Sequence, residues 1–222
     1  MASHDGKGAT APGPTIDEIV LADEPGRWSA LGFALAGEGC PLGSVRLRFA
    51  GQEAGSGVVG WSLRGITSVA LDGLPTARSS SAMRAPAPPQ PNGVLAIDHV
   101  VAISPALDRS VSALQAAGLE LRRLREEPTP AGAPRQAFFR LGEAILEVIQ
   151  EPDDAIERQG GRDRPARFWG LALTVSDLER ALEQMAPHAG SARAAVQPGR
   201  RIATLRRSAG LSIPLALMTP PA

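Results

Sequence analysis

Ala96-Ile-Asp-His99-Val-Val-Ala-Ile-Ser104 is the stretch on which the fold turns, because Arg167-Phe-Trp-Gly170-Leu-Ala-Leu-Thr-Val175 reads as a second copy of it. A shift of 71 positions sets His99 over Gly170, Leu107 over Leu178, Asp108 over Glu179 and Arg109 over Arg180 without a gap. Farther on, Gly142-Glu-Ala-Ile-Leu-Glu147-Val-Ile-Gln-Glu-Pro152 lies over Gly210-Leu-Ser-Ile-Pro-Leu215-Ala-Leu-Met-Thr-Pro220 at a shift of 68. Self-similarity over such a span marks one supersecondary unit used more than once. The copies differ where chemistry is expected. One carries His99 and Glu147, the other Gly170 and Leu215.

Each copy reads as β-α-β-β-β. In the first, residues 96–103 are apolar and β-rich, which predicts a strand. Ser104 is expected to cap the following helix with Pro105 at its first position. Leu107, Val111 and Leu114 recur at helical spacing as one buried stripe, and Gly118 stops the helix. Strands are expected over 119–124, 136–141 and 144–150. The second copy repeats the order: a strand over 168–175, a capping box of Ser176 and Glu179, and a stripe of Leu178, Leu182 and Met185. Strands near 192–196, 201–205 and 213–218 complete it.

Composition shifts divide the remainder. Residues 1–14 are small, polar and breaker-rich, which predicts a disordered tail that includes His4. Residues 15–75 read as a worn third module, because Thr15-Ile-Asp-Glu18-Ile-Val echoes Ala96-Ile-Asp-His99-Val-Val with Glu18 in the histidine's place. Its strands fall near 44–49 and 58–63, with a short helix over 28–35. A Pro/Ser linker over 76–94 follows. The modules then occupy 95–151 and 167–222, joined by a solvated loop over 152–166.

The 23 basic and 23 acidic residues cancel, so no net field favours nucleic acid or an anionic membrane. Aromatics suited to base stacking are few. No apolar run approaches the ~18 residues of a membrane span, and no secretory apolar region is seen. Cys40 stands alone, which excludes an intrachain disulfide and suits a reducing compartment. A cytoplasmic protein is expected.

The β-α-β-β-β repeat, with a histidine on a first strand and a glutamate on a last strand, resembles the vicinal oxygen chelate superfamily. That superfamily holds glyoxalases, bleomycin-resistance proteins and extradiol dioxygenases. The resemblance implies an α+β fold in which tandem modules form a cupped mixed sheet, with a degenerate third module at the N-terminus. It also implies a divalent metal held by His99 and Glu147, with Glu18 as third ligand and Glu147 in a catalytic role. Gly170 and Leu215, at the matching places of the last module, cannot ligate. Ser62 takes the glutamate's place in the N-terminal module.

The function so implied is a glyoxalase-like, metal-dependent lyase, isomerase or dioxygenase acting on a small oxygenated metabolite. The ion, whether Zn, Fe, Mn or Ni, would polarise vicinal oxygens as a Lewis acid. The alternative is a metal-free protein that sequesters a small molecule, and the missing ligands of the last module favour it. Three modules leave one unpaired, which suggests a homodimer.

Other residues have plainer readings. Ser62 misses a nucleophile elbow because Arg64 replaces the final glycine. His188 reads as a solvated residue at a helix C-terminus. Cys40 reads as a loop thiol. Arg200, Arg201, Arg206 and Arg207 read as a solvated face rather than a carboxylate clamp. Trp61, Phe138, Phe139 and Trp169 are candidates for core or cup lining.

Overall fold

The computed structural model describes residues 13–129, 132 and 134–221, so the expected tail lies outside the described residues except for Gly13 and Pro14. The modules centred on His99 and Gly170 build one eight-stranded sheet. The first contributes β6 (Val94–Ser104), α2 (Leu107–Ala116), β7 (Glu120–Arg125), β8 (Gln136–Leu141) and β9 (Ala144–Gln150). The second contributes β10 (Arg167–Val175), α4 (Leu178–Gln184), β11 (Arg193–Ala194), β12 (Arg201–Thr204) and β13 (Leu215–Met218). Strand order is β11-β12-β13-β10-β6-β9-β8-β7. In both modules the last strand returns parallel beside the first, and the two first strands pair antiparallel at the centre.

The alternation of these strands decides which face is core. Leu146 and Val148 on β9, and Val100 and Ala102 on β6, are fully buried. The same face takes the Leu107 and Leu114 stripe of α2. Ile145, Glu147 and Ile149 point the other way, as successive strand residues must, and remain partly exposed. That second face is the open side of the cup.

The N-terminal part departs from the expected single module. β1 (Thr15–Leu21), α1 (Pro25–Ala30), β2 (Gly39–Leu42) and β3 (Val45–Phe49) form one shortened unit. The strand expected to finish it, β4 (Val58–Arg64), instead starts another whose partner is β5 (Thr76–Arg78). The order β2-β3-β1-β4-β5 reproduces the centre of the large sheet: β1 is parallel to β3, antiparallel to β4, and β4 is parallel to β5. The architecture is therefore two paired-module sheets, the first pared down. An odd module count no longer argues for a homodimer.

Several local expectations are corrected. The stretch expected as a linker begins with β5 and continues as a strap tied to the body. Gln90 binds the Ala34 amide and the Pro41 carbonyl, and Asn92 binds the Leu31 carbonyl. These bonds, absent from any compositional signal, satisfy buried polar groups. The loop before β10 contains α3 (Asp153–Arg158), held by buried Glu151, which pairs with Arg164 and Arg167. Ser104 ends β6 and accepts the Ala106 amide at 3.0 Å, so α2 starts later than expected. Asp177, not Ser176, caps α4 by accepting the Arg180 amide. Cys40 lies on β2 in the core, where burial pushes its thiol up to about 12. No helix among the described residues is long and apolar enough to cross a membrane.

Candidate functional site

The site starts with a break in strand register. Across the β6–β10 pair His99 faces Ala172, yet Ile97 faces Leu173, so Asp98 is an extra residue. A β-bulge of this kind re-aims a side chain. Here it lets Asp98 reach His99, its own neighbour, on the open face. Asp98 Oδ1 lies 2.9 Å from His99 Nδ1, and Thr174 donates to Oδ2 at 2.9 Å. Arg200 completes the clamp, with Nη1 3.3 Å from Oδ1 and Nη2 bonded to Oδ2. Nε and Nη2 of Arg200 are also anchored on the Thr219 carbonyl.

From β9, Glu147 reaches the other ring nitrogen. Its Oε2 lies 3.4 Å from His99 Nε2, and Gln136 of β8 donates to Oε1. His99 is thus bracketed by two carboxylates, one at each nitrogen. The side chains of His99 and Glu147 are each 13% exposed. Glu18 does not join them. It lies on β1 of the other sheet and pairs with Arg48 at 2.9 Å and Arg46 at 3.9 Å.

The two carboxylates are tuned in opposite directions. Burial works to raise Asp98, but hydrogen bonds from His99 and Arg200, with their charges, hold it well below the usual carboxylate range. Burial pushes Glu147 up, opposed by the charge of His99 and the hydrogen bond from Gln136. An ionised Asp98 bonded at Nδ1 fixes the ring so that Nε2 faces Glu147.

The same bulge recurs in the N-terminal sheet. Ile16 faces Leu63 and Glu18 faces Ser62, which leaves Asp17 as the extra residue. Asp17 too is clamped by arginine, from Arg64 and Arg84, with Ser79 bonded at 2.5 Å. The Ile-Asp pair preceding both Glu18 and His99 was visible in the sequence; its bulged, arginine-clamped geometry was not. Register also moves the matching of Ser62, which faces Glu18 as Ala172 faces His99. Arg48 is the residue placed like Glu147, two beyond the partner of the first-strand residue.

In the other half of the cup, Leu215 is buried on the core face, and Ala216 is the residue that pairs with Ala172. Gly170 is sterically required, because a Cβ there would lie 2.6 Å from the Pro214 carbonyl oxygen. Of the four arginines expected on a solvated face, Arg200 is instead the one that clamps Asp98; Arg201 pairs with Glu179, and Arg206 binds the Pro187 carbonyl. His188 bonds Ser208 at 3.1 Å, away from the cup. Trp61 and Phe139 are core, while Trp169 sits in a β10 bulge and is 46% exposed.

Comparison with solved structures agrees with this architecture. A fusion protein described as a xylose isomerase-like TIM barrel joined to 4-hydroxyphenylpyruvate dioxygenase superposes with a TM-score of 0.58, over 92% of this chain and 49% of that one, at 11% identity. The chain has the vicinal oxygen chelate fold. Methylmalonyl-CoA epimerase from Mycobacterium tuberculosis gives a TM-score of 0.48 over 59% of this chain and 91% of that one, at 19% identity. A Streptomyces coelicolor methylmalonyl-CoA epimerase variant, in complex with 2-nitronate-propionyl-CoA, gives 0.47 over 58% and 96%, at 18% identity. No protein-family model and no curated protein sequence matches the chain.

For a vicinal oxygen chelate metal the donor set is half complete. Two donors 3.4 Å apart have the spacing of neighbouring ligands each about 2.0–2.2 Å from one ion. Open catalytic sites use three protein ligands. The opposite half-cup presents Gly170, Ala172 and Ala216, which carry no donor atoms. Among the described residues no group of three or more His, Cys, Asp or Glu side chains is arranged to hold an ion. The residues present do not fit a resident metal.

Proposed function

We propose that this vicinal oxygen chelate fold protein is a metal-independent small-molecule binder, with His99 and Glu147 as the polar floor of its cup. The observation that carries the reading is the asymmetry of the cup. One half holds a histidine between two carboxylates, while the other is closed to side chains at Gly170. A small oxygenated metabolite suits this floor, with Nε2 of His99 as acceptor and the Glu147 carboxyl as partner. Ile145, Ile149 and Phe138 supply partly exposed apolar walls. A differential scanning fluorimetry screen of hydroxy- and oxo-acids tests the reading. Hits should lose their melting shift in His99→Ala and keep it in the presence of a chelator. Shifts that require Zn, Mn, Fe or Ni would overturn it.

A second reading, proton transfer within the same cup, is favoured by the raised carboxyl of Glu147. With Asp98 fixing Nδ1–H, the Nε2 base of His99 removes a proton from carbon next to a substrate carbonyl. Protonated Glu147 donates to the developing enolate oxygen. Return of both protons, with His99 delivering its proton to a neighbouring carbon on the same face and Glu147 taking its own back, gives an isomerisation with no net proton change at the pair. Solvent deuterium incorporation into a bound oxo-acid would report this activity.

A further inference from the structure

The seam between the two sheets holds a cavity of about 160 Å³ that is separate from the cup. Ile16, Val45, Ile97 and Leu141 give it apolar walls, and Arg84 and Met83 of the strap lie along it. Cavities of about this size enclose a benzene-sized group. One polar feature sets it apart from a packing defect.

That feature is charge. Asp17 is shared by the Arg64 and Arg84 guanidiniums, so one carboxylate faces two cations and a positive charge is left over. Arg84 spends only Nη1 on this contact, and its Nε and Nη2 make no hydrogen bond among the described residues. A guanidinium edge with two open N–H groups matches a carboxylate. Glu143 also borders the cavity but is exposed, where water and salt screen it.

We infer that this seam cavity is a binding site for a small carboxylic acid with a compact apolar body. The body fills the space between the sheets, and the carboxylate meets Arg84. This site shares no residue with the His99–Glu147 pair and stands or falls independently of the function proposed for the cup.

Benzoate is a suitable probe, with benzyl alcohol as its uncharged counterpart, titrated into ¹⁵N-labelled full-length protein and followed by amide shifts. Benzoate should move the amides of Thr15, Ile97, Leu141 and Gly142, and benzyl alcohol should bind at least tenfold more weakly. Arg84→Met should weaken benzoate about tenfold or more, as loss of a charged hydrogen bond does. Ala144→Leu, which fills the cavity, should abolish the shifts, and Arg84→Met serves if that variant does not fold. Absence of seam shifts at 50 mM benzoate, shifts confined to the cup, or equal binding of the two probes would each overturn the inference.

Discussion

Replacing Arg200 by methionine asks whether this side chain is part of a solvated face or a clamp on Asp98. The side chains of Arg200 and Asp98 are 9% and 11% exposed, so the pair lies in largely dehydrated surroundings. Without the guanidinium, the Asp98 carboxylate keeps only His99 and Thr174 as partners. Removing one member of a buried pair costs about 3–5 kcal/mol, and the two surviving hydrogen bonds put this case at the low end, about 3 kcal/mol. In a chain of this size each kcal/mol moves Tm by about 2–4 °C, so Arg200→Met should melt roughly 6–12 °C below wild type at pH 7. Asp98 has its folded pKa depressed, so the unfolded chain binds more protons as the solution is acidified. The pair's contribution is present above the ordinary value of 3.8 and is lost as pH falls from there through the folded value. The gap between wild type and variant should therefore narrow below pH 3.8 in thermal melts followed by circular dichroism. Asp98→Asn added to Arg200→Met should recover much of the loss, because it removes the orphaned charge. A single variant melting within 1 or 2 °C of wild type at pH 7 would refute the clamp.

Other expectations follow from the same geometry. Glu147 has its folded pKa raised, so the folded state binds the extra proton and stability falls as pH rises from 4.5 through the folded value. Glu147→Gln should remove that loss and melt at or above wild type at pH 8, measured against pH 5. Dialysis against a chelator, or addition of Zn or Mn, should leave the wild-type Tm unchanged, since a ligand specific to the folded state raises it by mass action. Gly170→Ala should destabilise by about 1–3 kcal/mol in a urea titration, because its Cβ meets a backbone carbonyl that cannot swing aside. Cys40 should resist a thiol reagent at pH 8 in the folded protein and react promptly in urea, its thiolate being suppressed by burial.

Periodicity explains what could be read in advance. Strands β8 and β9, and the helices carrying Leu107–Leu114 and Leu178–Met185, follow from side-chain alternation and helical stripes. These are local properties of neighbouring residues. Placing His99 near Glu147 rested on the resemblance to the vicinal oxygen chelate superfamily, whose topology sets the first and last strands of one unit side by side. Glu18 was drawn into the same site by likeness of sequence alone. Its strand pairs within another sheet, where two arginines take its charge.

The chain's own pattern determined the repeated unit, the sheet-rich class and the inequality of the two half-cups. Only the tertiary structure decided how many units there are, because whether β4 closes one module or opens the next depends on which edge hydrogen-bonds to β1. It alone placed Asp98 on the cup face, since a one-residue bulge depends on register between strands about seventy residues apart. A separation of 102 residues hid Arg200, whose partner lies across the sheet and not beside it in sequence. Periodicity reports which face a residue takes; the partner it meets there is a matter of pairing between segments far apart along the chain.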